Sequence, residues 1–167
     1  LAVALARLGY KVGLADADVY GPSVPVMTAT EGALPEAIKD GDREVIMPIE
    51  KYGVKWMSIG YFSQPGQALI WRGPMACNAL KQMILQVRWG ALDFLLIDMP
   101  PGTSDVFLTV FQMLPVDGIV TVSAPQELVA MIVGKAVNLA HDLDVPVVGL
   151  VENMAYFKCD ECGKEHH

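Results

Sequence analysis

Short, nearly continuous apolar runs alternate along most of the chain with stretches of helical period. In the opening LAVALARLGY, Leu1, Leu5 and Leu8 recur at helical spacing. This predicts a core-facing helix that stops at Gly9. KVGLAD follows as a short strand ending in carboxylates. From Tyr20 to about Gly66 the chain is rich in Gly, Pro and charge. Here EVIMPI and VKWMSIG, separated by EKYG, predict a possible hairpin within a long loop. GPMACNALKQMILQVRW places Cys77, Leu80, Ile84 and Val87 on one helical face, so Cys77 reads as a small buried hydrophobe. LDFLLID is then a buried strand, SDVFLTVFQML a helix and DGIVTVS a strand. PQELVAMIVGKAVNLAHDL is a helix with a stripe of Leu128, Ile132, Ala136, Leu139 and Leu143, and VPVVGLVEN is the last strand. Apolar strands alternating with amphipathic helices predict an α/β fold built on a doubly wound, mostly parallel sheet.

Composition narrows the partners. The 167 residues carry a net charge of -7, with 53% hydrophobic and 19% charged residues. A single domain spanning 1–167 is expected, with a large core. No basic stripe is available to neutralise a phosphate backbone, which argues against nucleic acid. No apolar run reaches the roughly 18–20 residues of a membrane span. Three cysteines and no basic leader point to a reducing compartment, with cytoplasm as the expectation. The chain opens inside a helix and closes a few residues past a Cys-x-x-Cys, so both ends are read as cut.

In an open parallel sheet, ligands bind beyond the carboxyl ends of the strands. Two such ends carry aspartates. DADVYGPS holds Asp16 and Asp18, two apart and on one side of an extended segment, and DMPPG follows the strand that ends at Asp98. A strand-terminal Asp can hold magnesium, directly or through water, beside nucleotide phosphates. Pro100 and Pro101 have no N–H, so Gly102 offers the first backbone donor after Met99, with no side chain to obstruct a phosphate. No G-x-x-x-x-G-K-[ST] occurs in the chain. Such a loop lies between the first strand and first helix, and is expected immediately before Leu1.

Cys159 and Cys162 supply two thiolates where structural zinc or a cubane cluster usually takes four ligands. Four completions stay open on the residues alone. These are zinc with His166 or His167, a redox dithiol, two free thiols, and one cluster shared by two copies across a two-fold axis.

The segments DADVYGPSVP, IWRGPM, IDMPPGTSDV, SAPQELV and LVENMAYFKCDECGK, in this order, resemble the Mrp-type P-loop ATPases. These are iron-sulfur cluster carriers related to MinD and the nitrogenase iron protein. The resemblance covers nearly the whole chain and implies a MinD-like P-loop NTPase fold, here lacking its first strand and P-loop. It implies a homodimer that hydrolyses ATP with Mg2+, holds a [4Fe-4S] cluster between subunits at Cys159 and Cys162, and passes it from an assembly scaffold to apo-proteins. By the same resemblance Asp18 positions or activates the attacking water, and Asp16 and Asp98 support magnesium. Gly102 senses the γ-phosphate, and Asn153 hydrogen-bonds the adenine. Arg72 and Ser23 lie in similar motifs but take no assigned step. Without its P-loop the chain is expected to bind nucleotide poorly. The rival expectations are a nucleotide-switched MinD-like scaffold with structural zinc, and an electron donor like the nitrogenase iron protein.

Overall fold

A computed structural model describes residues 1–41, 43–62 and 73–166. These fall into two compact units, Leu1–Pro100 and Pro101–His167.

The first unit opens with α1 (Ala2–Arg7). Its C-terminus closes in a Schellman arrangement: Gly9 N–H donates to Ala6 O and Tyr10 N–H to Leu5 O, with Gly9 at φ 94°. Glycine adopts that left-handed conformation without the Cβ penalty, so the helix stops where the sequence predicts. β1 (Val12–Asp16) follows, buried on both faces as a central parallel strand must be. A short α2 (Val24–Met27) leads to an antiparallel pair, β2 (Ala37–Asp40) and β3 (Arg43–Ile46). β4 (Ile49–Lys51) and β5 (Val54–Ser58) form a second hairpin. Its two loop residues, Tyr52 and Gly53, both have positive φ (55° and 75°), the signature of a type I′ turn. A 3-10 turn (Ile59–Phe62), α3 (Gly73–Leu85) and β6 (Phe94–Asp98) complete the unit.

The sheet runs β4-β5-β1-β6, with β1 parallel to both β5 and β6. The register sets Ser58, Asp16 and Asp98 side by side at the carboxyl ends of three adjacent strands. Below that row, Val12, Ala15, Val54 and Met57 are buried with Leu80, Met83 and Ile84 of α3. Full burial of a side chain such as Met57 or Leu80 contributes about 1.5–3 kcal/mol. Above it, Val19, Ile59 and Ala76 pack as one cluster, which ties the loop after β1 to the 3-10 turn and α3.

The second unit comprises α4 (Asp105–Met113), β7 (Ile119–Ser123), α5 (Glu127–Asp142) and β8 (Val147–Glu152). β7 and β8 pair in parallel, and α5 packs on both. A small antiparallel hairpin of β9 (Phe157–Lys158) and β10 (Glu165–His166) carries the cysteines.

The α/β fold with a mostly parallel sheet is as the sequence pattern predicts. Several faces differ. Leu1 and Leu8 are 71% and 74% exposed because they cap a helix of six residues, and Ala2 is what α1 buries. In α5, Leu128 and Ile132 are exposed and Ala136, Leu139 and Leu143 half-buried, so the stripe turns inward only toward the C-terminal end, and the buried residue, Ala140, lies outside it. β6 is an edge strand, and Phe94 and Leu95 stay partly exposed instead of buried. EVIMPI is two strands parted at Met47 and Pro48, and β2 was not anticipated. Cys77 lies half-buried on α3, beside the buried Ala76 and Leu80. Arg72 and His167 lie outside the described residues.

Candidate functional site

Asp16 ends β1 and is only 2% exposed. Its carboxylate is heavily engaged. Oδ1 accepts from Asp18 N–H at 3.2 Å; Oδ2 accepts from the Ser58 hydroxyl at 2.9 Å and, more loosely, from Val24 N–H at 3.4 Å. Asp16 thus stands in for a side-chain cap on α2, whose own cap residue Ser23 makes no capping hydrogen bond. Burial pushes the Asp16 carboxyl above the ordinary 3.8, against the pull of Ser58, Val24 and Asp18, and the charge of Asp98 adds to the rise.

Asp18 is half-buried. Its Oδ1 accepts from Tyr20 N–H at 3.2 Å and Gly21 N–H at 3.0 Å, an Asx-type turn that fixes the carboxylate plane. Asp98 ends β6, and its backbone carbonyl accepts from Ala17 N–H at 2.8 Å, tying the DAD loop to the neighbouring strand. Its carboxyl is also raised, first by loss of hydration at the strand ends and then by the charge of Asp18. Asp98 is nevertheless an exposed residue, so water weakens both effects. The structure therefore brings Asp16, Asp18 and Asp98 together as mutually repelling carboxylates. Among the described residues no three carboxylates are grouped closely enough to hold a metal ion, these three included.

The remaining predicted residues lie in the second unit. Gly102 sits at φ 83°, with no heavy atom within 4 Å of where a Cβ would stand. The backbone conformation itself calls for glycine there, beyond any need for an unobstructed donor. Asn153 follows β8 and is exposed; its N–H donates to Ser123 O at 2.7 Å and its Oδ1 accepts from Met154 N–H at 3.1 Å.

Cys159 and Cys162 occupy the tip of the β9–β10 hairpin. Cys159 N–H donates to Lys164 O at 2.9 Å, and Gly163 N–H, from a residue at φ 70°, donates to Cys159 O at 2.8 Å. The backbone amides of Cys162 and Glu161 act on the Cys159 sulfur. These two amides, with the Cys162 thiol as a lesser contributor, hold the Cys159 pKa below the ordinary 9.0. Backbone donors on a sulfur favour the thiolate, the form that binds metal. His166 lies opposite Phe157 in the hairpin register. Among the described residues, no three His, Cys, Asp or Glu side chains are grouped to hold a metal ion. The hairpin tip carries two thiols, Cys159 and Cys162.

Sequence reasoning missed Ser58 and the Glu161 and Cys162 amides. The position of Ser58 at the end of an apolar strand was the available signal, since a polar residue there joins the same row as Asp16.

The mostly parallel sheet with carboxylates at its strand ends fits the α/β fold of P-loop NTPases. A family model described as "ParA: NUBPL iron-transfer P-loop NTPase" matches residues 1–167, and the chain belongs to that family. It is similar to iron-sulfur cluster carrier proteins, 48% identical to that of Aquifex aeolicus over 95% of this chain and 43% of the relative. Against that of Escherichia coli K12 it is 45% identical over 100% of this chain and 44% of the relative. A solved nucleotide-binding protein in complex with ADP from Archaeoglobus fulgidus, with cobalt found, superposes with a TM-score of 0.80 at 39% identity. That match covers 99% of this chain and 63% of the other. The chain spans about half the length of the curated relatives it matches. The resemblance to Mrp-type carriers is borne out. No helix among the described residues is long and apolar enough to cross a membrane.

Proposed function

We propose that the full-length protein is a cytoplasmic ATPase that carries an iron-sulfur cluster and delivers it to apo-proteins. The observation that carries this reading is the hairpin tip. Two thiols, one drawn toward thiolate by backbone amides, have no third ligand grouped with them among the described residues. A second copy related by a two-fold axis supplies the other pair, and the shared cargo is a [4Fe-4S] cluster. A cluster held at an exposed tip can leave when the dimer changes geometry.

The residues of the first unit serve hydrolysis. Asp98 is the direct ligand for Mg2+, and Asp16, whose oxygens are already engaged, acts through the surrounding shell. When bound, Mg2+ neutralises charge on the phosphates. With Oδ1 of Asp18 committed to two amides, Oδ2 accepts a proton from the attacking water. The water oxygen bonds to the γ-phosphorus as the bond to the β-phosphate oxygen breaks, giving ADP and phosphate. Gly102 N–H serves the γ-phosphate, and Asn153 serves the adenine. No G-x-x-x-x-G-K-[ST] motif occurs in the 167 residues, so these residues alone are expected to bind ATP weakly.

The test is anaerobic transfer. Cluster-loaded full-length protein is mixed with an apo-acceptor, with and without ATP and Mg2+, alongside Asp18→Asn. Acceptor activation by the wild type, and loss of ATP turnover in Asp18→Asn, are expected. A cluster that stays on the protein through repeated redox cycles would instead identify an electron donor.

A further inference from the structure

Ser58, the last residue of β5, has no exposed surface and lies directly opposite Asp16 in the parallel register. Its hydroxyl accepts from Gly60 N–H at 3.1 Å and contacts Asp16 Oδ2 at 2.9 Å. An ionised carboxylate only accepts, so the hydroxyl proton is committed to Asp16. Asp16 in turn receives the N–H groups of Asp18 and Val24. A continuous chain of hydrogen bonds therefore runs from the 3-10 turn, through Ser58 and Asp16, to the backbone of Asp18.

Packing makes this chain rigid. A Cβ on Gly60 would lie 3.0 Å from Pro25 Cγ and 3.2 Å from Pro22 Cβ, so the turn sits tightly on the loop that follows Asp18. On the other side of that loop, Val19 packs with Ile59 and Ala76. Asp18 is thus held through its own N–H by Asp16, and Asp16 is held by Ser58.

We propose that Ser58 is a positioning residue for ATP hydrolysis: its hydroxyl fixes the Asp16 carboxylate, which sets Asp18 against the attacking water. The inference rests on the hydrolytic reading of Asp18 given above. A group placed about 1 Å off its productive position can lower a rate on the order of a hundredfold. Ser58→Ala removes one of the three donors to Asp16 and leaves Oδ2 with only the long contact to Val24 N–H at 3.4 Å, while no substrate contact of Ser58 itself is lost.

The experiment measures steady-state ATP hydrolysis by the full-length protein with Mg2+, comparing Ser58→Ala, Ser58→Thr and Ser58→Val. Thr and Val have the same shape and differ in the hydroxyl, so that pair still decides the matter if Ser58→Ala folds poorly. For Ser58→Ala, kcat is expected to fall about tenfold or more while KM for ATP stays within about threefold. Ser58→Thr is expected to retain most of kcat and Ser58→Val to lose it. A kcat for Ser58→Ala within about twofold of wild type, or equal impairment of the Thr and Val variants, overturns the proposal. If Asp18→Asn abolishes turnover while Ser58→Ala does not, only the role of Ser58 falls. If Asp18→Asn leaves kcat intact, the hydrolytic reading falls and this proposal with it.

Discussion

Replacing Gly102 by alanine isolates one physical quantity, the cost of a left-handed backbone. No heavy atom lies within 4 Å of the added methyl group, so packing contributes almost nothing to the change. The backbone sits at φ 83°, where an L-residue pays about 1–2 kcal/mol. Gly134, in the interior of α5, makes the matched control, because its Cβ position is equally open but its conformation is helical. There alanine is favoured over glycine by about 0.5–1 kcal/mol. The two variants should therefore move stability in opposite directions and differ by roughly 1.5–3 kcal/mol. For a chain of this size each kcal/mol corresponds to about 2–4 °C in Tm. Urea unfolding followed by circular dichroism reads the midpoints, with the slope m compared to confirm that the denatured state is unchanged. Shifts of the same sign, or a Gly102→Ala variant as stable as wild type, would refute the conformational assignment at the end of the DMPPG segment. ATP affinity of the full-length Gly102→Ala protein is a separate readout, expected to drop because the donor amide is displaced.

Three further outcomes follow from the geometry. Asp16 and Asp98 hold their protons more tightly in the folded state than the ordinary 3.8. Their contribution to stability is therefore present at low pH and is lost as pH rises from about that value through their raised folded pKa. Asp98→Asn should raise the urea midpoint at pH 7 in the absence of Mg2+, and a lowered midpoint would count against the repulsion. Cys159 should be alkylated with an apparent pKa below the ordinary 9.0 when iodoacetamide labelling is followed by peptide mass against pH; an onset at or above that value would contradict the amide arrangement. Gly13→Ala would place a methyl 2.8 Å from Leu92 Cδ1 and 2.9 Å from Trp89 Cε3, and should cost about 1–3 kcal/mol by thermal melting. A neutral result there would mean that the Trp89 and Leu92 side chains yield without strain.

The carboxylates were legible because each ends an apolar run, and a strand's end is where a parallel sheet presents its ligands. Gly9 and Gly102 were legible for a local reason too, since helix termination and proline-flanked turns are written in neighbouring residues. Ser58 was not, because its meaning depends on register: only when β5 aligns with β1 does its hydroxyl meet Asp16, 42 positions away. The leucines of α1 misled because periodicity records which residues share a face and not whether a helix of six residues is long enough to bury both ends. The Cys-x-x-Cys was obvious as a motif. Its electrostatics were hidden in backbone amides, which carry no side-chain signature.

The pairing of two thiols from each of two chains around one cluster is open to direct measurement. Its most direct measurement is iron, sulfide and zinc content of the anaerobically reconstituted full-length protein, read together with its oligomeric state. A dimer with about four irons per two chains is expected, with loss of that iron in Cys159→Ala and Cys162→Ala. Stoichiometric zinc without iron uptake, or iron retained after both cysteines are replaced, would contradict it.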